Sequence, residues 1–61
     1  MSHKFRAGQT VQFTPSLFDR AAKRGQYRVV CGLPAEGNDN QYRIKNVIDG
    51  HERVVRESQL T

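Results

Sequence analysis

Few residues in this chain could do covalent chemistry, and they are scattered along it. The candidate nucleophiles are Cys31, Ser16 and Ser58, and the candidate proton carriers are His3 and His51. Nucleophilic catalysis needs a base within hydrogen-bond reach of the nucleophile and a third group to orient that base. Nothing in the spacing brings Cys31 to His51. Ser16 with Asp19, and Ser58, form no nucleophile elbow, and Gly32, Gly37 and Gly50 are too dispersed to cradle a phosphate. Cys31, His3 and His51 cannot complete a tetrahedral zinc site without carboxylates. The expectation is a protein that is not an enzyme and has no metal and no cofactor. Cys31 alternates with Tyr27, Val29 and Leu33, where a free thiol is expected to behave as a small buried hydrophobe.

What does cluster is positive charge. The formal net charge is +4 and the sequence pI about 9.9. The excess is uneven: Lys4, Arg6, Arg20, Lys23, Arg24 and Arg28 face only Asp19 in the first half. In the second half, Arg43, Lys45, Arg53 and Arg56 are outnumbered by Glu36, Asp39, Asp49, Glu52 and Glu57. Several cations on one surface are what a polyanion backbone needs, and such attraction weakens steeply with salt. Arg20, Lys23, Arg24 and Arg28 are therefore the candidate contact to RNA or DNA backbone, with Arg43 and Lys45 extending it. Phe18, Tyr27 or Tyr42 could offer a ring on which unpaired bases stack, although the alternation of Phe5, Phe13, Tyr27 and Tyr42 beside Val and Ile points to core packing for those four. The alternative is a protein–protein interaction module in which Leu17 and Phe18, together with a sheet edge, form the docking patch.

These side chains must be positioned by a very small scaffold. The chain has 61 residues and reads as a single domain, 1–61. At this size only about 60% of the unfolded chain's surface is buried. A lone cysteine permits no internal disulfide. The core must hold by packing alone or by pairing with a second copy, so a monomer or weak homodimer is expected. An unpaired cysteine fits a reducing compartment. The start Met1-Ser2-His3-Lys4 leads into polar residues rather than a signal-peptide core, and no apolar run reaches the roughly 20 residues of a membrane span. A cytoplasmic protein with no membrane contact is expected.

Period-two alternation predicts strands over 5–13, 26–33, 41–48 and 51–56. Pro34 is expected to end the second, with 35–40 as a loop by composition. Asp49-Gly50, between β-branched runs, predicts a two-residue hairpin. That register pairs Ile48 with His51, Ile44 with Val55 and Arg43 with Arg56. It places Tyr42, Ile44, Ile48 and Val55 on the core side, and opposes two like charges across the strands. Glu57-Ser58-Gln59-Leu60 predicts a short helical turn before a truncated last strand. Residues 14–25 support two readings. Thr14 could cap a helix with Pro15 at its first position and Gly25 at its end, or the segment could be a long loop.

The order of elements resembles the SH3-like small barrel. The closing run Asp49-Gly50-His51-Glu52-Arg53-Val54-Val55-Arg56-Glu57-Ser58-Gln59-Leu60 is similar to the end of Tudor- and KOW-type barrels. The chain as a whole resembles short uncharacterised bacterial proteins, most clearly in Gln41-Tyr42-Arg43-Ile44-Lys45 and Glu52-Arg53-Val54-Val55-Arg56-Glu57-Ser58. This resemblance implies an all-β, SH3-like small antiparallel barrel of about five strands, with a long loop or short helix after the first. It brings no activity with it. The chain lacks Trp and the aromatic groove pattern of proline-binding SH3 domains.

Overall fold

The computed structural model describes residues 3–15 and 23–61. Four antiparallel strands, β1 (Thr10–Phe13), β2 (Gly25–Glu36), β3 (Asp39–Asn46) and β4 (Glu52–Arg56), form one sheet in the order β1-β2-β3-β4. A 3-10 turn, Glu57–Gln59, follows β4 as the sequence predicts. The all-β expectation holds. The five-strand closed barrel does not: among the described residues the sheet is open and has four strands. In place of a fifth strand there is one bridge, Phe13 to Leu60. Around it the backbones of Gln12 and Thr61 exchange hydrogen bonds of 2.9 and 3.0 Å, and Thr14 N–H donates to Gln59 O at 2.9 Å.

One face of the sheet is apolar because alternation sends every second side chain the same way. Val11, Phe13, Tyr27, Val29, Tyr42, Ile44 and Val55 are buried there, joined by Leu60 and by Phe5 from the N-terminal segment. Rings meet edge to face, Phe13 with Tyr27 at 5.3 Å and Phe5 with Tyr42 at 5.7 Å between centroids. Each well-buried side chain of this kind stabilises the fold by roughly 1.5–3 kcal/mol.

The turns depart from expectation. Pro34 does not end β2; pairing continues through Leu33–Gln41 to Glu36–Asp39, with an irregularity in the ladder at Pro34 and Ala35. A proline lacks the N–H that a ladder requires and so tolerates a break of this kind. The tight hairpin is therefore Gly37-Asn38, where Gly37 takes φ +65° as a two-residue loop demands. The Asp49-Gly50 turn is wider. Asn46 N–H donates to His51 O at 2.8 Å, and Gly50 N–H donates back to Asn46 O at 3.0 Å, closing one helix-like turn. The buried Asn46 side chain accepts N–H bonds from Ile48 at 2.8 Å and Asp49 at 3.1 Å. Asn46 thus acts as a helix N-cap, and Gly50, at φ +77°, as the residue that ends the turn.

This wider loop shifts the β3–β4 register by two residues. Tyr42 now faces Val55, Ile44 faces Arg53, Arg43 faces Val54 and Gln41 faces Arg56. An even shift preserves the inward set, so Tyr42, Ile44 and Val55 stay in the core. The expected opposition of Arg43 and Arg56 disappears. Ile48, expected in the core, sits on the loop and is 92% exposed.

A second correction concerns Cys31. The β2–β3 register slips between Val29 and Cys31, so Val30 bulges and the alternation inverts beyond it. Cys31 pairs with Arg43 and is only half-buried, while Gly32 pairs with the buried Tyr42. The His3 ring covers Gly32 and meets Tyr42 edge-on at 5.0 Å.

Candidate nucleic-acid interface

Because the inward face is apolar, the residues between the core positions form the outward face, and the register sets their neighbours. Arg28 on β2 pairs with Lys45 on β3, which in turn pairs with Glu52 on β4. Two residues along β3, Arg43 lies between Cys31 and Val54. Arg28, Arg43 and Lys45 are all exposed. Arg43 Nε lies 3.9 Å from Glu52 Oε1, a solvent-exposed pair of the kind that holds with little energy. The sheet therefore brings three of the six predicted cations onto one surface.

The other three fare differently. Lys23 and Arg24 are exposed immediately before β2. Lys23 Nζ reaches Asp49 Oδ2 at 3.6 Å, which ties that cation to the hairpin loop. Arg20, the docking pair Leu17 and Phe18, and most of the segment read as helix or loop lie outside the described residues. Of the two roles open to Tyr27 and Tyr42, stacking platform or core, the structure has the core: both are buried, and Tyr42 has no exposure at all. Phe5 and Phe13 are buried too, so no Phe or Tyr ring among the described residues is open to a base.

Beside Arg28 and Lys45 lies a shallow cleft of about 390 Å³, lined also by Asn46, Val47, Ile48, Asp49 and Gly50. The loop that shapes it owes its form to the Asn46 cap. Asp49 is the one carboxylate lining the cleft. The His51 N–H donates to it at 2.9 Å, and this bond, with His51 and Lys23 nearby, holds the carboxyl below its ordinary value. The cleft was not anticipated. Its signal was present in Asn46 and Gly50, spaced as the cap and terminator of a single helical turn.

The remaining chemistry-bearing residues do not converge. Cys31 lies four positions along β2 from Tyr27, which is level with Asn46 and hence His51; that is about 13 Å of strand. Among the described residues no three His, Cys, Asp or Glu side chains come together as a metal set. No helix among them is long and apolar enough to cross a membrane. Comparison of the chain with family models, with curated proteins and with solved structures finds no match in any of the three. What is established is the class of architecture, a small antiparallel sheet with a basic outward face.

Proposed function

We propose that this chain is a small non-catalytic binding module that contacts nucleic-acid backbone through the outward face of β2 and β3. The observation that carries this reading is the register pair Arg28–Lys45, with Arg43 beside it, on one exposed surface next to the cleft. Lys23 and Arg24 extend the same charge toward the start of β2. Cations at strand spacing suit a run of phosphates, and such contacts position a nucleic acid without reading its sequence. The buried aromatic rings favour backbone contact over base stacking. The element order, and the hydrogen bonds tying residues 59–61 to β1, support a kinship with SH3-like modules in an opened form. The single cysteine supports a reducing, cytoplasmic setting.

The test is fluorescence anisotropy with a labelled single-stranded RNA and a duplex DNA at about 50 mM and about 200 mM salt. Binding should fall steeply with salt, and Arg28→Ala and Lys45→Ala should each reduce the log–log salt slope by about one. Absence of binding to either oligonucleotide at the lower salt would sink the proposal. A second reading, a protein-interaction module, is favoured by one observation, the edge position of β4 in the sheet.

A further inference from the structure

We infer that β4 is a two-fold interface through which two copies of this chain pair edge to edge, antiparallel about Val54. Among the described residues β4 pairs only with β3, leaving its other side as a sheet edge. Natural edges are blunted by charged side chains, prolines or bulges, because an open ladder recruits any strand that fits; the outward charges of β4, Glu52 and Arg56, are of opposite sign. This edge has no proline, and the β3–β4 register runs without a bulge.

The ladder fixes which groups face outward. Asn46 N–H donates to His51 O, so the Asn46–His51 pair is hydrogen-bonded. Such pairs alternate along an antiparallel ladder. Arg53 and Val55 therefore direct their backbone groups to β3, while Glu52, Val54 and Arg56 direct theirs to the open edge. The Arg56 N–H points outward, where it donates to Gln59 Oε1 at 3.1 Å, a bond that a second strand must replace. A second strand must meet this edge through the same three residues.

Only one symmetric register pairs all three of these residues on both strands at once. Centred on Glu52 it opposes two carboxylates, and centred on Arg56 it opposes two guanidinium groups. Centred on Val54, it places Glu52 opposite Arg56 of the second copy, and Arg56 opposite Glu52 of the second copy. The Val54 side chain, 55% exposed in the single chain, then meets its own counterpart. Opposite charges directly across strands favour pairing, and like charges oppose it. The segment Glu52-Arg53-Val54-Val55-Arg56 is in this sense complementary to itself. The pairing joins two sheets into one and places the two Arg43 side chains, each beside Val54, on a common outward face. The inference is independent of what that face binds.

Analytical ultracentrifugation across the micromolar-to-millimolar range tests it. The native chain should form a reversible dimer. Glu52→Arg and Arg56→Glu should each weaken it by about tenfold or more, since each opposes like charges twice. An equimolar mixture of the two variants should recover a heterodimer within about threefold of native affinity, because their charges are then complementary. Circular dichroism at low concentration reports whether each variant is folded. Amide exchange gives a second reading that needs no variant: Val54 should become protected as concentration rises, while Val55 is protected throughout. A chain that stays monomeric over the whole range, or a mixture no tighter than the separate variants, overturns the inference. So does a Val54 amide whose exchange is indifferent to concentration.

Discussion

Tyr42 and Glu57 show how much one polar contact governs in a core of this size. The Tyr42 hydroxyl donates to Glu57 Oε2 and accepts from Phe5 N–H at 3.1 Å. The same carboxylate oxygen accepts from Lys4 N–H at 2.9 Å and from the Asn40 amide at 3.3 Å. One side chain thereby ties the N-terminal segment and β3 to the turn after β4. Burial first, then the bond to Glu57, raises the Tyr42 phenol above its ordinary value of 10.0. The Tyr42 bond first, then the Lys4 N–H, lowers the Glu57 carboxyl below its ordinary 4.5. The signs follow from linkage. Glu57 contributes stability that is fully present above its unfolded pKa and is lost as pH falls through the folded one. Tyr42 contributes stability that is present below its unfolded pKa and is lost as pH rises through the folded one. Tyr42→Phe should cost about 1–2 kcal/mol near neutral pH, because it leaves the carboxylate short of a donor. It should also flatten both limbs of the stability–pH curve, whereas Glu57→Gln should flatten mainly the acid limb. Urea unfolding over a pH series checks this, and an unchanged acid limb in Tyr42→Phe would refute it.

Among the elements, the β3–β4 loop is the most informative. Asn46→Ala removes the acceptor for two backbone N–H groups and should cost about 1 kcal/mol, up to about 2. Ile48→Ser should change stability by less than about 0.5 kcal/mol, because the side chain is already in water. Thermal or urea unfolding of both variants decides the point; a large loss in Ile48→Ser would restore the tight two-residue hairpin. The contrast also shows what the sequence makes legible. Alternation in Thr10–Phe13, Gly25–Val29 and Gln41–Ile44 identifies strands and their inward residues, because the period survives any even slip in register. Exact pairing is another matter, since it depends on which of several turn-forming residues prevails. Asp49-Gly50 and Gly37-Asn38 are both good turn pairs, but Asn46 draws the later loop wider. The placement of Cys31 was illegible for a related reason. A bulge at Val30 answers to the fit between β2 and β3, and nothing in the local pattern announces it. Of the candidate site, Arg28, Arg43 and Lys45 could be named from charge alone. Their adjacency could not, because it follows from the register.

For the molecule as a whole, a thin core has a functional corollary. Every Phe and Tyr ring among the described residues is used inside, so the outward face is left with polar and charged side chains, cations foremost, and a few exposed valines. That composition favours contacts that are strong at low salt and indifferent to base identity. The same thinness makes Leu60 disproportionate, since it is buried and its bridge to Phe13 fastens the chain after β4 to β1. Leu60→Ala should cost about 2–5 kcal/mol, a large share of the few kcal/mol that so small a domain has in total.

That bridge also bears on the order of events as the chain folds. The β2–β3 and β3–β4 pairings are hairpins between consecutive strands, and each closes a short loop. Joining Phe13 to Leu60 closes nearly the whole chain, a costlier step in entropy that the earlier contacts must first shorten. The Phe13–Leu60 contact should therefore form after the rate-limiting barrier. Leu60→Ala should then act chiefly by accelerating unfolding, with the refolding arm of the chevron almost unmoved. A refolding arm slowed by as much as the unfolding arm is hastened would place the fastening of β1 early instead.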